Sequence, residues 1–128
     1  MAVTVTNSTI SALNTITTIT KNAATADVDG TAEVFTITPT KAGIKLLIII
    51  GGTGAGADGN ISYSMSAGDL WASKAITGTV TKNTEKMLEI DTAQVLQDDG
   101  TIALTLTPAA TDKLLTDHAA YVKFVETL

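Results

Sequence analysis

The sequence predicts an all-β fold: a single-domain β-sandwich or small β-barrel over residues 29–128, preceded by an extended, Thr-rich N-terminal arm over residues 1–28. Three observations predict it. Seven short runs rich in β-branched and apolar residues follow one another from residue 31 onward, at the near-regular spacing of an all-β domain. Three Asp-Gly dipeptides, Asp29-Gly30, Asp58-Gly59 and Asp99-Gly100, supply the residues that tight turns need where φ is positive. Residues 101–107 alternate cleanly, with Ile102, Leu104 and Leu106 on one face and Thr101, Ala103, Thr105 and Thr107 on the other.

Taken in order, residues 1–28 hold short β-branched runs at 3–6 and 16–20 but few large side chains to anchor a core. They read as an arm or edge strand, expected to be the segment least protected from amide exchange. The runs EVFTIT, IKLLIII, ISYSMS, AITGTV, KMLEID, TIALTLT and AAYVKFVETL then read as strands. The second of these is apolar enough to be buried on both faces. Pro39 and Pro108 are placed just after strands, where a missing donor does no harm. Helical turns are expected only near residues 92–97 and 109–115. The spacing draws the core from Phe35, Ile37, Leu46, Ile48, Ile50, Leu88, Ile90, Ile102, Leu104, Leu106, Val122 and Phe124. DGTAEVFTITPTKAGIKLL at residue 29 and DGTIALTLTPAATDKLL at residue 99 are alike; either a Thr-rich alphabet produces the likeness by chance, or two similar units contribute one to each half of the fold.

Composition narrows the function. The chain has 128 residues, about the length of one domain, and the size scaling lets roughly two-thirds of its surface be buried without staples. Threonine supplies 24 positions and charged residues only 16%, while eight lysines, no arginine and a net charge of −5 argue against a nucleic-acid partner. With no cysteine, disulfides, thiolate metal sites and cysteine nucleophiles are excluded. The N-terminus lacks a basic segment followed by an apolar one, so synthesis in a cytoplasm without a secretion signal is expected, and the sequons at Asn7 and Asn60 then have no role. The apolar run at 44–50 is far shorter than the roughly 20 residues of a membrane span, and no membrane partner is expected.

No motif carries chemistry. Residues 54–59 spell G-x-G-x-x-G after a buried run, but NISYSMS follows where a dinucleotide site needs a helix, so the glycines read as a loop between strands. No catalytic residue, cofactor or metal site is expected. His118 is the only histidine, and Asp117 beside it would point to the opposite face of a strand, so neither a triad nor a zinc site is supported. The carboxylates Asp27, Asp29, Glu33, Asp98 and Asp99 lack the spacing of a calcium loop and read as turn residues. Trp71, in a chain with only four other aromatics, reads as a lid on the core, an anchor for a protein partner or a sugar-stacking platform.

VFTITPTKAGIKLLI, YSMSAGDLW, KMLEIDTAQVLQDDGTIALTLTP and HAAYVKFVETL, within residues 31–128, together resemble small structural proteins of tailed bacteriophages, of the head decoration or cement type. The resemblance implies a non-enzymatic protein that binds the outer surface of an assembled capsid and stabilises it. Its partner would be the major capsid protein lattice, its state a homo-oligomer, often a trimer, and its location the capsid exterior of the virion after synthesis in the host cytoplasm. The candidate partner contacts are Trp71, Tyr63, Val3, Val5 and Ile10. The loop at 51–59 does not map onto the family pattern. A tail or neck component, and a carbohydrate-binding β-sandwich that presents Trp71 and Tyr63, are the competing readings.

Overall fold

The computed structural model describes residues 2–26, 28–40, 45–52, 60–69, 74–109, 114–116 and 119–127. Its elements in chain order are β1 (Ala2–Thr4), β2 (Asn7–Thr9), β3 (Asn22–Ala23), β4 (Glu33–Ile37), β5 (Lys45–Gly52), β6 (Ile61–Met65), β7 (Ile76–Val80), β8 (Thr84–Asp91), α1 (Thr92–Val95), β9 (Ile102–Pro108) and β10 (Tyr121–Glu126). One sheet has the order β1-β4-β9-β6-β7; the other has the order β2-β10-β5-β8, with β3 also on β10. Side chains from both sheets share one core, so of the two expected architectures the chain adopts the sandwich.

All seven predicted runs become strands, β4 to β10; in β5, apolar on both faces, Leu46, Ile48 and Ile50 enter the core while Leu47 and Ile49 are only partly covered on the outer face. Ten of the expected core residues are wholly buried, and Ile90 is nearly so. Leu88 is the exception: β8 is an edge strand of its sheet, and Leu88 is only partly covered. Ile61, Tyr63, Met65 and Val80, from β6 and β7, Val95 from α1, and Leu115 and Ala120 before β10 also belong to the core. Gly30 and Gly100 have φ of 70° and 82°, as their Asp-Gly turns require. Pro108 is the last paired residue of β9, not the residue after it. The neighbouring bond from Ala109 N–H to Asn60 O makes Pro108 face Ile61 in a pair without hydrogen bonds, so its absent N–H breaks no bond to β6. The two similar units do not occupy opposite halves, because β4 and β9 are antiparallel neighbours in one sheet, with Phe35 opposite Leu104.

The N-terminal residues take the edge-strand form and bridge the layers. β1 runs parallel to β4 in one sheet, Val5 N–H donates to Thr36 O at 2.9 Å, and β2 then runs parallel to β10 in the other. β3 returns antiparallel along β10, and Ala24 N–H donates to Ala120 O at 2.9 Å. Val5, Ala24 and Ala26 join the core. Exposure typical of an arm is therefore concentrated within residues 10–21.

Two carboxyl groups at strand ends are buried. Glu33 holds the end of the arm: Thr25 N–H donates to Glu33 Oε2 at 2.8 Å, Ala26 N–H to the same oxygen at 2.9 Å, and the Thr25 hydroxyl to Oε1 at 2.5 Å. Glu126 accepts from Thr40 N–H at 2.8 Å, from the Thr40 hydroxyl and from Asn7 Nδ2. Backbone and hydroxyl donors thus replace the water that each carboxylate loses on burial.

Both tyrosines sit beside glycines on neighbouring strands. Tyr63 faces Gly78 across β6 and β7, and Tyr121 faces Gly51 across β10 and β5. A Cβ at Gly51 would lie 2.5 Å from the Tyr121 hydroxyl oxygen and 2.6 Å from Cζ, so the ring occupies the space that a side chain there would need. Tyr63 covers Gly78 in the same way.

Candidate functional site

The sheets present unlike outer faces. On the first sheet, alternation directs Thr4, Val34, Thr36, Ser62, Ser64, Thr77, Thr79, Ala103, Thr105 and Thr107 outward. Register aligns Thr107, Ser62 and Thr79 in one row across three strands, and Val34, Thr105, Ser64 and Thr77 in another across four. This face carries hydroxyls and no charged side chain among the described strand residues.

The second sheet carries the charges. Tyr121 lies on its outer face with Lys21 Nζ 4.5 Å and Lys123 Nζ 5.1 Å from the ring centroid. Lys123 Nζ is also 3.2 Å from Glu85 Oε2. The hydrogen bond from the Tyr121 hydroxyl is the main cause that holds the Glu85 carboxyl below its usual range; Lys123 adds to it and loss of water opposes it. Burial, and then the bond to Glu85, push the Tyr121 phenol up from 10.0 to about 12. Because the folded value lies above the unfolded one, the neutral phenol contributes its stability in full below about pH 10. That contribution is lost as pH rises through about 12. Tyrosinate absorbance in a titration of the folded protein should show Tyr121 ionising in the upper part of this window, and Tyr121→Phe should flatten the fall in stability there. Ionisation of Tyr121 at the ordinary tyrosine position would contradict the geometry.

Between β2 and β3, residues 10–21 form a loop that is pinned at its base. Asn22 is the principal pin: its Oδ1 accepts Thr6 N–H at 2.8 Å and its Nδ2 donates to Val122 O at 3.0 Å. Thr20 N–H donates to Ser8 Oγ at 2.9 Å, and Ile10 N–H to Glu126 O at 3.0 Å. Asn14, at φ 57°, turns the chain at residues 12–14. The loop then presents Leu13 at 80% exposure, Ile16 at 99% and Ile19 at 43%. Every third residue from 13 to 19 is a large aliphatic that this chain's own fold leaves in water.

The candidate contacts read from the sequence fall differently. Val5 is buried in the core, Val3 packs against it, and Tyr63 is an inward core residue over Gly78. These three side chains serve the chain's own interior. Ile10 is half-buried at the base of the loop. Trp71 lies outside the described residues, as do the glycine motif at 54–59, Asp27, Asp117 and His118; just before Trp71, residues 67–69 are held by bonds such as Gly68 N–H to Gln94 O at 2.7 Å. Ile16 and Ile19 were legible only as part of the β-branched run at 16–20, Leu13 lay outside any run, and strand alternation gives no signal for spacing by three.

Among the described residues there is no group of three or more His, Cys, Asp or Glu placed to hold a metal ion, and no helix is long and apolar enough to cross a membrane. Asp99 serves its own turn: the Thr101 hydroxyl and N–H donate to Asp99 Oδ1 at 2.6 and 3.0 Å and hold its carboxyl below the usual range. Asp91 caps α1 by accepting Ala93 N–H at 3.0 Å, and Asp69 Oδ2 accepts Asp98 N–H at 2.7 Å. No family model, curated protein or solved structure matches the chain.

Proposed function

We propose that this protein is a non-enzymatic structural component that binds the outer surface of an assembled phage capsid and reinforces it. The observation that carries the reading is the pinned loop with Leu13, Ile16 and Ile19 in water. Large aliphatic side chains held on a closed loop are ready to enter a partner's apolar pocket, and the hydrogen bonds at its base reduce the ordering cost of binding. The resemblance of residues 31–128 to head decoration proteins supplies the class of partner, the major capsid protein lattice. A glycan-binding platform of Trp71 and Tyr63 is disfavoured, because Tyr63 faces the core. Burying one Leu or Ile contributes about 1.5–3 kcal/mol, roughly ten- to a hundredfold in affinity.

The test is co-sedimentation with undecorated, expanded phage heads. Wild-type protein should bind the heads and raise their resistance to heat, and Leu13→Ser with Ile16→Ser should weaken binding by at least about a hundredfold without lowering the chain's own melting temperature. Failure of the wild type to bind heads, or binding to tails alone, would overturn the reading in favour of a tail or neck component.

A further inference from the structure

Among the described residues, β7 forms one edge of the first sheet. Ser66 N–H donates to Ala103 O at 3.1 Å and Ala109 N–H to Asn60 O at 3.0 Å, so the even-numbered residues of β6 bond to β9. Its odd-numbered residues therefore bond to β7, in the pairs Ile61 with Val80, Tyr63 with Gly78 and Met65 with Ile76. Thr77 and Thr79 are left with their N–H and C=O groups directed away from β6, and no hydrogen bond within the described residues takes them up. Both residues are exposed.

Edge strands are normally blunted by charge, proline or a bulge. β8, the edge of the other sheet, follows that rule with Glu85, Lys86, Glu89 and Asp91. β7 has the sequence ITGTV, with no charge, no proline and an unbroken register to β6. It is also symmetric about Gly78, with a threonine on either side.

We propose that β7 pairs antiparallel with β7 of a second copy of this chain, across a two-fold axis at Gly78. Thr77 then lies opposite the second copy's Thr79, and Thr79 opposite its Thr77. Each pair exchanges two N–H···O bonds, so the four groups on each chain that the described residues leave without a partner are satisfied. The threonine side chains meet as Thr–Thr pairs on the hydroxyl face, a favourable cross-strand combination. At the axis, Gly78 faces its own copy in the close pair without hydrogen bonds, where the absence of a Cβ removes steric conflict on the face that Tyr63 already fills. A two-fold contact brings every residue near its own copy, and in a chain of net charge −5 a charge-free strand avoids like-charge repulsion at the axis. Edge pairing buries less than a standard interface, which makes the dimer weak and concentration-dependent. It is independent of what the loop at 10–21 binds.

Sedimentation from micromolar to millimolar concentration, together with amide exchange, tests the pairing. A monomer–dimer equilibrium is expected, with the Thr77 and Thr79 amides becoming protected as the dimer forms. Thr79→Pro removes only an outward N–H and Thr77→Lys adds a charge to the edge; each should raise the dimer Kd by more than about tenfold. Met87→Lys, on the other sheet, should leave the Kd unchanged. A monomer throughout, a trimer, a dimer in which the Thr77 and Thr79 amides stay unprotected, or a Kd indifferent to folded edge variants would overturn the proposal. If neither edge variant folds, amide protection in the wild type decides.

Discussion

Glu33→Ala is expected to lower the unfolding free energy by about 2–4 kcal/mol and to release the segment around residues 22–31 to proteases. The buried carboxylate accepts both backbone donors at Thr25 and Ala26, and alanine offers neither a partner. An amide stranded in the interior costs about 1–3 kcal/mol, and bonds to a carboxylate are stronger than neutral ones. Glu33→Gln should rescue part of the loss, because its amide oxygen can accept both backbone N–H groups while its NH2 donates to the Thr25 hydroxyl, but the bonds lose the strength that the charge gives them. Chemical denaturation with proteolysis at native conditions reads both effects. A loss below about 0.5 kcal/mol, the range of ordinary surface changes, would show that the arm holds its place without this anchor.

Phe124→Ala should have the larger effect, about 3–5 kcal/mol. Phe124 is wholly buried at the centre of β10, between Ile48 of β5 and Asn7 of β2. Truncation removes an aromatic ring from a core that both sheets share, and surrounding strands held by their ladders cannot close the gap. For a chain of 128 residues, at about 0.05–0.15 kcal/mol per residue, this is a large part of the total stability. Thermal unfolding should fall by more than about 10 °C. A Phe124→Leu variant should recover much of the loss, since it refills part of the volume. An alanine variant within about 1 kcal/mol of wild type would contradict the packing described for β10.

Most of the seven main strands were legible because they carry their own alternation, which burial on one face of a sheet imposes, and β5 was legible as a short continuous apolar run. Phe35 and Ile37, or Ile102, Leu104 and Leu106, announce their direction without knowledge of their neighbours. Sheet membership was not legible: the likeness between the segments at 29 and 99, read either as chance or as one unit in each half, gives no sign that β4 and β9 are hydrogen-bonded neighbours. The three N-terminal strands were only partly visible. β2 and β3 span three and two residues and owe their existence to β10, about a hundred residues or more away, so no local pattern encodes them. Of the candidate contacts, Val3, Val5 and Tyr63 turned inward because apolar residues suited to a partner suit a core equally well. Leu13 and Ile16 could be recognised as uncovered only once the loop that carries them had been closed by Asn22 and Ser8.

The dependence of β2 and β3 on β10 also has a kinetic consequence. Loop-closure entropy must be overcome across about a hundred residues or more before β2 or β3 gains a ladder bond to β10, and β10 in turn pairs with the distant β5. Strands β4, β9 and β6 need shorter closures among themselves. Folding should therefore proceed from the middle of the chain outward, on the slow timescale of topologies rich in distant contacts. Substitutions at Asn22 should accelerate unfolding while leaving the folding rate nearly unchanged.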